Sequence, residues 1–511
     1  MASKEGVSGL KLRHLQINKS GGLKSRAAEG AGALGEGEPE STEEEPVTPA
    51  GRMFLQPDLC CTILCTMGFQ KTINLESFKQ ALKNTLVKHK RFTSIVKKNR
   101  KGAEIWVKTE VDMDAHVFEP SSISEAEIAT PGFVEKYVCD LAIAPPLPTS
   151  RPLWECHVLN GTSGNAAAHA ILRMHHSLGD GTSLMSLMLA CTRQTDNPEK
   201  LPSIPVSMGQ SSAVAASQSF LQSFWKMLVL LVNTVWGIFY FLATVLWLKD
   251  SDTVIKGSAG VEQQPKLLVL TELNMEDMKF VKNAVGGTIN DVLLGMIGAS
   301  LRRYLQGHYN EASTLPANHN TLEALRIRAA ALVNTRASPG LQELEAMMAG
   351  GSQVRWGNQM GYLVFPISLK HYSDPLDQVR AAKKVSDSKK ASLEGIFTFW
   401  SGTLLTWLAG PSLPTMLTRR SLLQTTLTVS NVPGPIEPVM LDNNPIVHIF
   451  PVVSGHPQSL CFYLVSYAGK ADLVVMSAKH LIPDPEKLSQ YCVDALEDMK
   501  KAAASIKVQS D

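Results

Sequence analysis

The 511-residue sequence lacks the composition of a disulfide-rich, nucleic-acid-binding or disordered protein. Its 8 cysteines are too few for a disulfide framework in a chain of this length, so we expect reduced thiols. The formal net charge of +2 excludes the strongly basic surface that is typical of nucleic-acid-binding proteins. Hydrophobic residues make up 44% of the chain, which excludes wholesale disorder. The length predicts about two to four globular domains.

Several functional motifs are also absent. Cys61 and Cys65 have no second Cys or His pair at zinc spacing, so we expect them in a core and predict no metal. The sequence contains no GxSxG nucleophile elbow. It also contains no glycine-rich phosphate loop, so nothing in it indicates a bound nucleotide cofactor. The N-terminal residues lack an apolar h-region, which predicts that there is no secretory signal peptide.

The composition divides the chain into four segments. Residues 1–48 are polar and end in an acidic run, which predicts a disordered tail. Residues 49–200 and 265–511 each alternate strand-like and amphipathic helical segments, which predicts an α+β lobe in each half. Residues 201–264 form a linker around an apolar stretch, Met227–Leu248, of about 22 residues, long enough to cross a bilayer.

The most informative segment is HHSLGDG, where an apolar strand turns toward a helix. It contains His175, His176, Asp180 and Gly181. Because an imidazole has an ordinary pKa near about 6.5, His176 is a candidate general base that takes a proton from a hydroxyl group. Asp180 is predicted to stabilise the turn. The alternative is that the paired histidines only satisfy hydrogen bonds in a turn.

Four other segments form a pattern with this one: PLWECHVL (152–159), TINDVLLG (288–295), VNTR (333–336) and SNVPGP (430–435). We expect Trp154 to pack in the core and NVPGP to be a rigid turn between strands; the functional alternative for NVPGP is that it shapes a tunnel mouth. Asn290 and Asp291 precede an apolar run. They are therefore candidates either for helix capping or for a direct role at the site.

HHxxxDG is the signature of the chloramphenicol-acetyltransferase-like fold. With the other four segments in the same order, the chain from residue 51 onward resembles the wax ester synthase/diacylglycerol acyltransferase family, particularly its plant branch. VNTR departs from the family's usual VNLR. The resemblance implies two similar lobes, each a mixed sheet covered by helices, with an active-site tunnel between them.

The resemblance also implies the chemistry. Acyl-CoA would be a cosubstrate, and the acceptor a long-chain fatty alcohol, giving wax esters, or diacylglycerol, giving triacylglycerol. His176 would deprotonate the acceptor hydroxyl, whose oxygen attacks the thioester directly, without an acyl-enzyme. Asn290 would order the wall of the second lobe. The implied location is the endoplasmic reticulum membrane, with the active site facing the cytosol, and the plasma membrane is a second candidate.

The apolar stretch creates a conflict of topology. If residues 227–248 crossed the membrane once, His176 and Asn290 would lie on opposite sides of it. We therefore predict a monotopic or re-entrant membrane anchor, with a buried helix between the lobes as the alternative.

Other functions remain open from the sequence. A hydroxycinnamoyl-type acyltransferase would normally carry a DFGWG segment, which this chain lacks. A condensation domain and a catalytically silent, membrane-bound lipid-binding scaffold are the further alternatives.

Overall fold

A computed structural model describes residues 45–204, 220–311, 319–335, 341–348 and 357–510. These residues belong to one compact unit. The strands, in chain order, are β1 (Glu45–Pro46), β2 (Thr62–Phe69), β3 (Ser94–Lys98), β4 (Glu104–Lys108), β5 (Val117–Phe118), β6 (Trp154–Ser163), β7 (Ala166–His175), β8 (Arg193–Gln194), β9 (Lys266–Asn274), β10 (Ile327–Asn334), β11 (Met360–Ile367), β12 (Leu427–Pro433), β13 (Val439–Leu441), β14 (Asn444–Ser454), β15 (Leu460–Tyr467) and β16 (Lys470–Ala478).

The helices are α1 (Pro49–Phe54), α2 (Leu75–Asn84), α3 (Met113–His116), α4 (Glu125–Ile128), α5 (Phe133–Ala142), α6 (Gly181–Ala190), α7 (Phe220–Leu246), α8 (Met275–Ala284), α9 (Ile289–Glu311), α10 (His319–Glu323), α11 (Leu341–Met348), α12 (Pro375–Lys390), α13 (Glu394–Ala409), α14 (Ser412–Gln424) and α15 (Pro485–Ser510). The predicted α+β class is therefore confirmed.

Local sequence accounts for the first strand and helix of the first lobe. Every residue of β2 is buried, as its apolar run predicts. The helix α2 begins after Asn74, whose Oδ1 accepts a hydrogen bond from the backbone N–H of Ser77 at 3.0 Å. Phe78 and Leu82, four residues apart, are buried against the sheet. This strand and helix were both predicted from the pattern of apolar residues.

The first lobe is built on a seven-stranded sheet of order β5-β6-β7-β2-β14-β13-β8. Its central strand β2 pairs antiparallel with β7, Thr62 lying opposite His175, and also with β14. β13 and β14 come from the C-terminal half of the chain. The predicted boundary at 265 therefore does not separate the two sheets, because strand pairing between distant segments is not visible in local patterns.

The second lobe is built on a six-stranded sheet of order β11-β10-β12-β15-β16-β9. The central strand β12 runs parallel to β10 and β15. Helices α8, α9, α12 and α15 pack together over this sheet. A further core cluster joins the lobes, because Leu64 and Phe450 of the first sheet pack with Tyr463 and Val474 of the second. The chain thus has the predicted two-lobe architecture.

The structure corrects the predicted end of the N-terminal tail. The predicted tail, 1–48, lies outside the described residues up to residue 44, but residues 45–48 belong to the fold. Glu45 pairs with Trp106 in a sheet, and its Oε1 accepts a hydrogen bond from Arg91 Nη2 at 2.7 Å. The acidic run therefore extends into the fold, because its last two residues form β1.

The apolar segment of the linker forms one unbroken helix, α7, of 27 residues. It is long and apolar enough to cross a membrane by length and composition. It is not the buried helix of the alternative prediction, since Leu231, Val235 and Trp236 are each about 60% exposed. Its C-terminal end is fixed to the second lobe, because the buried guanidinium of Arg328 contacts both Thr244 and Asp250.

Candidate active site

His176 lies in the turn that follows β7, on the wall of a cavity between the lobes. Its backbone N–H donates to the Cys61 carbonyl at 2.9 Å, which ties the turn to the start of β2. The imidazole is 3% exposed and stacks on the ring of Phe54, with 4.2 Å between centroids. The last residue of α1 thus holds one face of the ring.

Burial controls the protonation state of His176. Removal from water lowers the pKa of His176 below its ordinary value, while its own carbonyl group and the Asp180 carboxylate act in the opposite direction. The ring is therefore neutral near pH 7, as a general base must be. The side-chain amide of Asn358 donates to the His176 carbonyl at 2.8 Å and lies 3.3 Å from the Ser177 carbonyl. A segment of the second lobe thus fixes the backbone of the histidine turn.

His175 has a different environment from its neighbour. Its Nδ1 accepts from the Ser177 backbone N–H at 3.1 Å and lies 2.7 Å from the Ser177 Oγ. Its Nε2 is 3.6 Å from Cys60 Sγ, and burial lowers the pKa of His175 to about 3. The ring is not part of the cavity wall. The contacts of His175 stabilise the turn. For this residue the structure therefore fits the alternative prediction, in which the histidines satisfy hydrogen bonds in a turn.

Asp180 and Gly181 form the start of α6. One carboxylate oxygen of Asp180 accepts from the Ser183 N–H at 2.8 Å, which caps the helix, and the other accepts from the Gln359 N–H at 3.2 Å. Gly181 borders the cavity, and a Cβ at this position would meet no atom within 4 Å. Asp180 therefore braces the turn and joins it to the second lobe, and Gly181 leaves space in the cavity.

The cavity at His176 has a volume of about 150 Å³ and is lined by both lobes. The first lobe contributes mostly apolar side chains. The second contributes both apolar side chains, from Leu332, Val333, Met360, Val429 and Val432, and polar ones, from Asn334, Thr428, Ser430, Asn431 and Tyr463. A larger cavity of about 940 Å³ lies beside it, and the two have seven residues in common: Thr182, Leu332, Val333, Asn334, Val429, Ser430 and Asn431. The two cavities are thus neighbouring parts of one region between the lobes.

Asn290 and Asp291 lie at the start of α9 and have different roles. Asn290 lines the larger cavity, and its Oδ1 accepts from Asn431 Nδ2 at 2.6 Å. Asp291 is fully buried and lines neither cavity. Its Oδ2 accepts from the backbone N–H of Thr288 at 2.7 Å and from the Thr288 hydroxyl at 2.9 Å. Asp291 therefore completes the helix N-terminus, whereas Asn290 reaches the site through Asn431.

Other predicted residues have clear places. Trp154 is fully buried and donates from Nε1 to the Phe92 carbonyl at 2.9 Å, as expected of a core residue. NVPGP is not wholly a turn, because Asn431 to Pro433 are the last residues of β12. Strand pairing with β15 extends through Pro433, whose partner is Ser466. The residues of this motif that reach the cavity do so from a strand.

Four contributors to the site were not identified from the sequence. Phe54 and Asn358 contact His176, while His456 and Tyr463 lie in the same cavity. The His456 Nε2 is 3.3 Å from the Tyr463 hydroxyl, and burial lowers the pKa of His456 to about 4. Asn358 is 182 residues from His176 along the chain, and no periodicity or motif connects them. Asn334, Ser430 and Asn431 of the same cavity, by contrast, belong to the VNTR and SNVPGP segments that the sequence analysis identified.

Comparison with known proteins identifies the family. Residues 60–293 match the model of the wax ester synthase/diacylglycerol acyltransferase catalytic domain, and residues 356–500 match the model of the WS/DGAT C-terminal domain. Wax ester synthase/diacylglycerol acyltransferase 11 of Arabidopsis thaliana is 38% identical, covering 91% of this chain and 96% of the relative. Number 5 of the same plant is also 38% identical, covering 90% and 94%.

Solved structures share the fold. The wax ester synthase/diacylglycerol acyltransferase from Marinobacter aquaeolei VT8 is 18% identical with a TM-score of 0.54, covering 90% of this chain and 100% of its own. The first condensation domain of the calcium-dependent antibiotic synthetase is 15% identical with a TM-score of 0.56, covering 91% and 97%. The chain therefore belongs to the wax ester synthase/diacylglycerol acyltransferase family and is an acyltransferase, as its motifs predicted.

Proposed function

We propose that this acyltransferase forms wax esters from long-chain acyl-CoA and fatty alcohol, and that diacylglycerol is a second acceptor, giving triacylglycerol. The observation that carries the proposal is a buried, neutral His176 on the wall of a cavity lined by both lobes. Together with the adjoining cavity of about 940 Å³, it provides space beside this base where the reacting groups of two substrates can meet. No metal or bound cofactor is required.

His176 is the general base of a direct transfer. The imidazole accepts the proton of the acceptor hydroxyl, and the hydroxyl oxygen attacks the thioester carbonyl carbon. The C–S bond then breaks, and the proton passes from His176 to the leaving CoA thiolate. Base catalysis of this kind supplies about 10² to 10⁴-fold in rate, and the remainder comes from positioning both substrates and stabilising the oxyanion.

The state of the nearby cysteine supports direct transfer. Cys65 is the cysteine on the cavity wall, and an acyl-enzyme formed on this residue would require its thiolate. Burial raises the pKa of the Cys65 thiol to about 12, so that the thiol stays protonated near pH 7. A neutral thiol is a weak nucleophile, whereas a neutral imidazole is ready to activate an alcohol.

Asn290 is a positioning residue in this mechanism. Its Oδ1 holds the amide of Asn431, which borders both cavities. With Asn290 in place, the Asn431 side chain keeps one orientation toward the bound substrates. Asp180 and Gly181 act on the opposite wall, where they fix the histidine turn and leave room for substrate.

We further propose that the protein is a monotopic membrane protein of the endoplasmic reticulum, with its active site on the cytosolic side. The apolar and exposed α7 supports membrane contact. Its anchoring to the second lobe through Arg328, together with the neighbouring positions of the His176 and Asn290 cavities, favours an anchor that does not separate the lobes. Fatty alcohols, diacylglycerol and their esters partition into the same lipid phase.

Expression in a yeast strain without neutral-lipid synthesis, fed with fatty alcohol, tests the proposal. We expect wax esters and triacylglycerol from the wild type, and neither from His176→Ala. His480→Ala is a matched control, because His480 is exposed and lies outside the site. Lack of both products from a folded, membrane-bound wild type would contradict the proposal and favour the lipid-binding scaffold.

A further inference from the structure

The helix α13 has an inverted distribution of polar and apolar side chains. Glu394, Thr398 and Thr406 are buried. The exposed row consists of large apolar residues: Ile396, Trp400, Leu404, Trp407 and Leu408, which are 48% to 78% exposed. A surface helix in water normally has the opposite arrangement, with its apolar stripe facing the core. The exposed row of α13 is therefore suited to an apolar medium.

Hydrogen bonds fix α13 in this orientation. Glu394 Oε2 accepts from Lys389 Nζ at 2.6 Å, and neither side chain is more than 11% exposed. Thr398 Oγ1 accepts from the Tyr362 backbone N–H at 2.9 Å and lies 3.1 Å from the Tyr362 carbonyl. Rotating the apolar row inward would break these bonds and leave buried polar groups unpaired, which is costly. The exposure of the apolar row is therefore imposed by the hydrogen bonds on the buried side of α13.

The neighbouring helix α7 has the same arrangement. Asn233 Oδ1 accepts from the Ser388 hydroxyl at 3.2 Å, and Thr234 Oγ1 accepts from the Leu393 N–H at 3.0 Å. The helices touch at Gly237, where a Cβ would come within 2.5 Å of Glu394 Oε2. Both helices therefore point polar groups toward the protein and apolar groups outward.

The tryptophans of these helices favour a bilayer as the partner. Five of the chain's 8 tryptophans belong to the two helices or immediately follow α7, and all five are at least 60% exposed: Trp225, Trp236, Trp247, Trp400 and Trp407. Tryptophan is enriched at membrane interfaces, where its ring lies among acyl chains and its N–H reaches the polar headgroups. From Gly395 to Ala409, α13 contains no charged residue.

The first turn of α13 also borders the larger cavity. Gly395 and Ile396 of this turn form part of the cavity wall, as does Ser392 just before the helix, and Ile396 is 48% exposed. At its other side this cavity shares Ser430 and Asn431 with the cavity of His176. A continuous lining therefore leads from the exposed apolar surface to the base.

We propose that α7 and α13 together form a bilayer-contacting surface, and that the lipid acceptor enters the larger cavity from the membrane at the first turn of α13. The entry route rests on the proposed function, because it assumes that the acceptor is a lipid alcohol. The partner of this surface is a phospholipid bilayer.

Activity with two acceptors tests the route. The purified full-length protein is assayed with acyl-CoA and either a long-chain alcohol carried in phosphatidylcholine vesicles or a short-chain alcohol dissolved in water. We expect Leu404→Lys to lower kcat/KM for the vesicle-borne acceptor about tenfold, because it removes apolar contact and adds a charge to the membrane face. The short-chain reaction should keep its wild-type rate. Ile506→Lys, at an exposed site on α15, should change neither rate.

Quenching of tryptophan fluorescence by lipids brominated in their acyl chains tests the surface independently of activity. We expect strong quenching in the wild type and a reduced quenched fraction in Trp400→Phe and Trp407→Phe. Equal quenching in all three proteins would overturn contact through α13, as would a dimer that buries this row and prevents quenching. Unchanged activity of Leu404→Lys on vesicle-borne alcohol would overturn the entry route. If the wild type acylated neither alcohol, both the proposed function and the entry route would be wrong. The quenching experiment would still show whether the surface contacts the bilayer.

Discussion

Replacing Asn358 by alanine tests how the second lobe controls the base. The Asn358 amide is 3% exposed and contacts the backbone carbonyls of His176 and Ser177 at 2.8 and 3.3 Å. The change removes these contacts and leaves buried carbonyl groups without that donor. A buried unsatisfied group costs about 1–3 kcal/mol, so we expect a loss of unfolding free energy of that size.

The same substitution should also slow catalysis, by an amount that is comparable in free energy to the loss of stability. Without Asn358 the histidine turn can shift relative to the second lobe, and a misplacement of about 1 Å costs about 10²-fold in rate. We therefore expect kcat to fall by about ten- to a hundredfold, with a small change in KM, because the residue orders the base and does not line the cavity at His176.

The assay is ester formation by the purified protein, together with chemical denaturation. Asn444→Ala is the matched control. Asn444 is also buried and joins backbone groups, since its Nδ2 donates to the Lys71 carbonyl at 2.8 Å and its Oδ1 accepts from the Lys71 N–H at 3.0 Å. It should lose similar stability but retain kcat. Wild-type kcat in Asn358→Ala, or an equal fall in Asn444→Ala, would refute the positioning role.

Three other predictions follow from the site. Because burial lowers the pKa of His176, the unprotonated base should persist as pH falls below about 6.5, and the acid limb of a kcat/KM–pH profile should lie below that value; a limb well above it would contradict a neutral buried base. Gly181→Leu should lower turnover about tenfold or more by filling the cavity, whereas Gly307→Leu on α9 should not, and thermal unfolding should show both proteins folded. Asn290→Ala should reduce activity with little change in stability, whereas Asp291→Ala should cost about 1 kcal/mol of unfolding free energy; equal effects on activity and stability in both variants would contradict the separation of their roles.

The sequence was sufficient where a feature depends on neighbouring residues. The buried run of β2, the amphipathic α2 and the helix that starts after Asp180 are local patterns. The HHSLGDG segment likewise identified the turn on which His176 meets the cavity. These elements follow from apolar periodicity and capping, which act over a few residues.

Features that depend on distant segments were not predictable in this way. The pairing of β14 with β2 joins residues more than 350 positions apart, and Asn358 reaches His176 from the other lobe. Periodicity also assumes that apolar residues face inward, and α13 violates that assumption. The buried contacts of Glu394 and Thr398 set the orientation of α13 and thereby expose its tryptophans, and these contacts are not visible in the sequence.

Rapid mixing of the protein with acyl-CoA, in the presence and absence of alcohol, tests the central claim most directly. If His176 activates the acceptor for direct transfer, the wild type should release CoA only when alcohol is present, and His176→Ala should release almost none. Release of one CoA per protein without alcohol, with the acyl group found on Cys65, would contradict the direct mechanism. Undiminished release by His176→Ala in the presence of alcohol would contradict the role of His176 as the base.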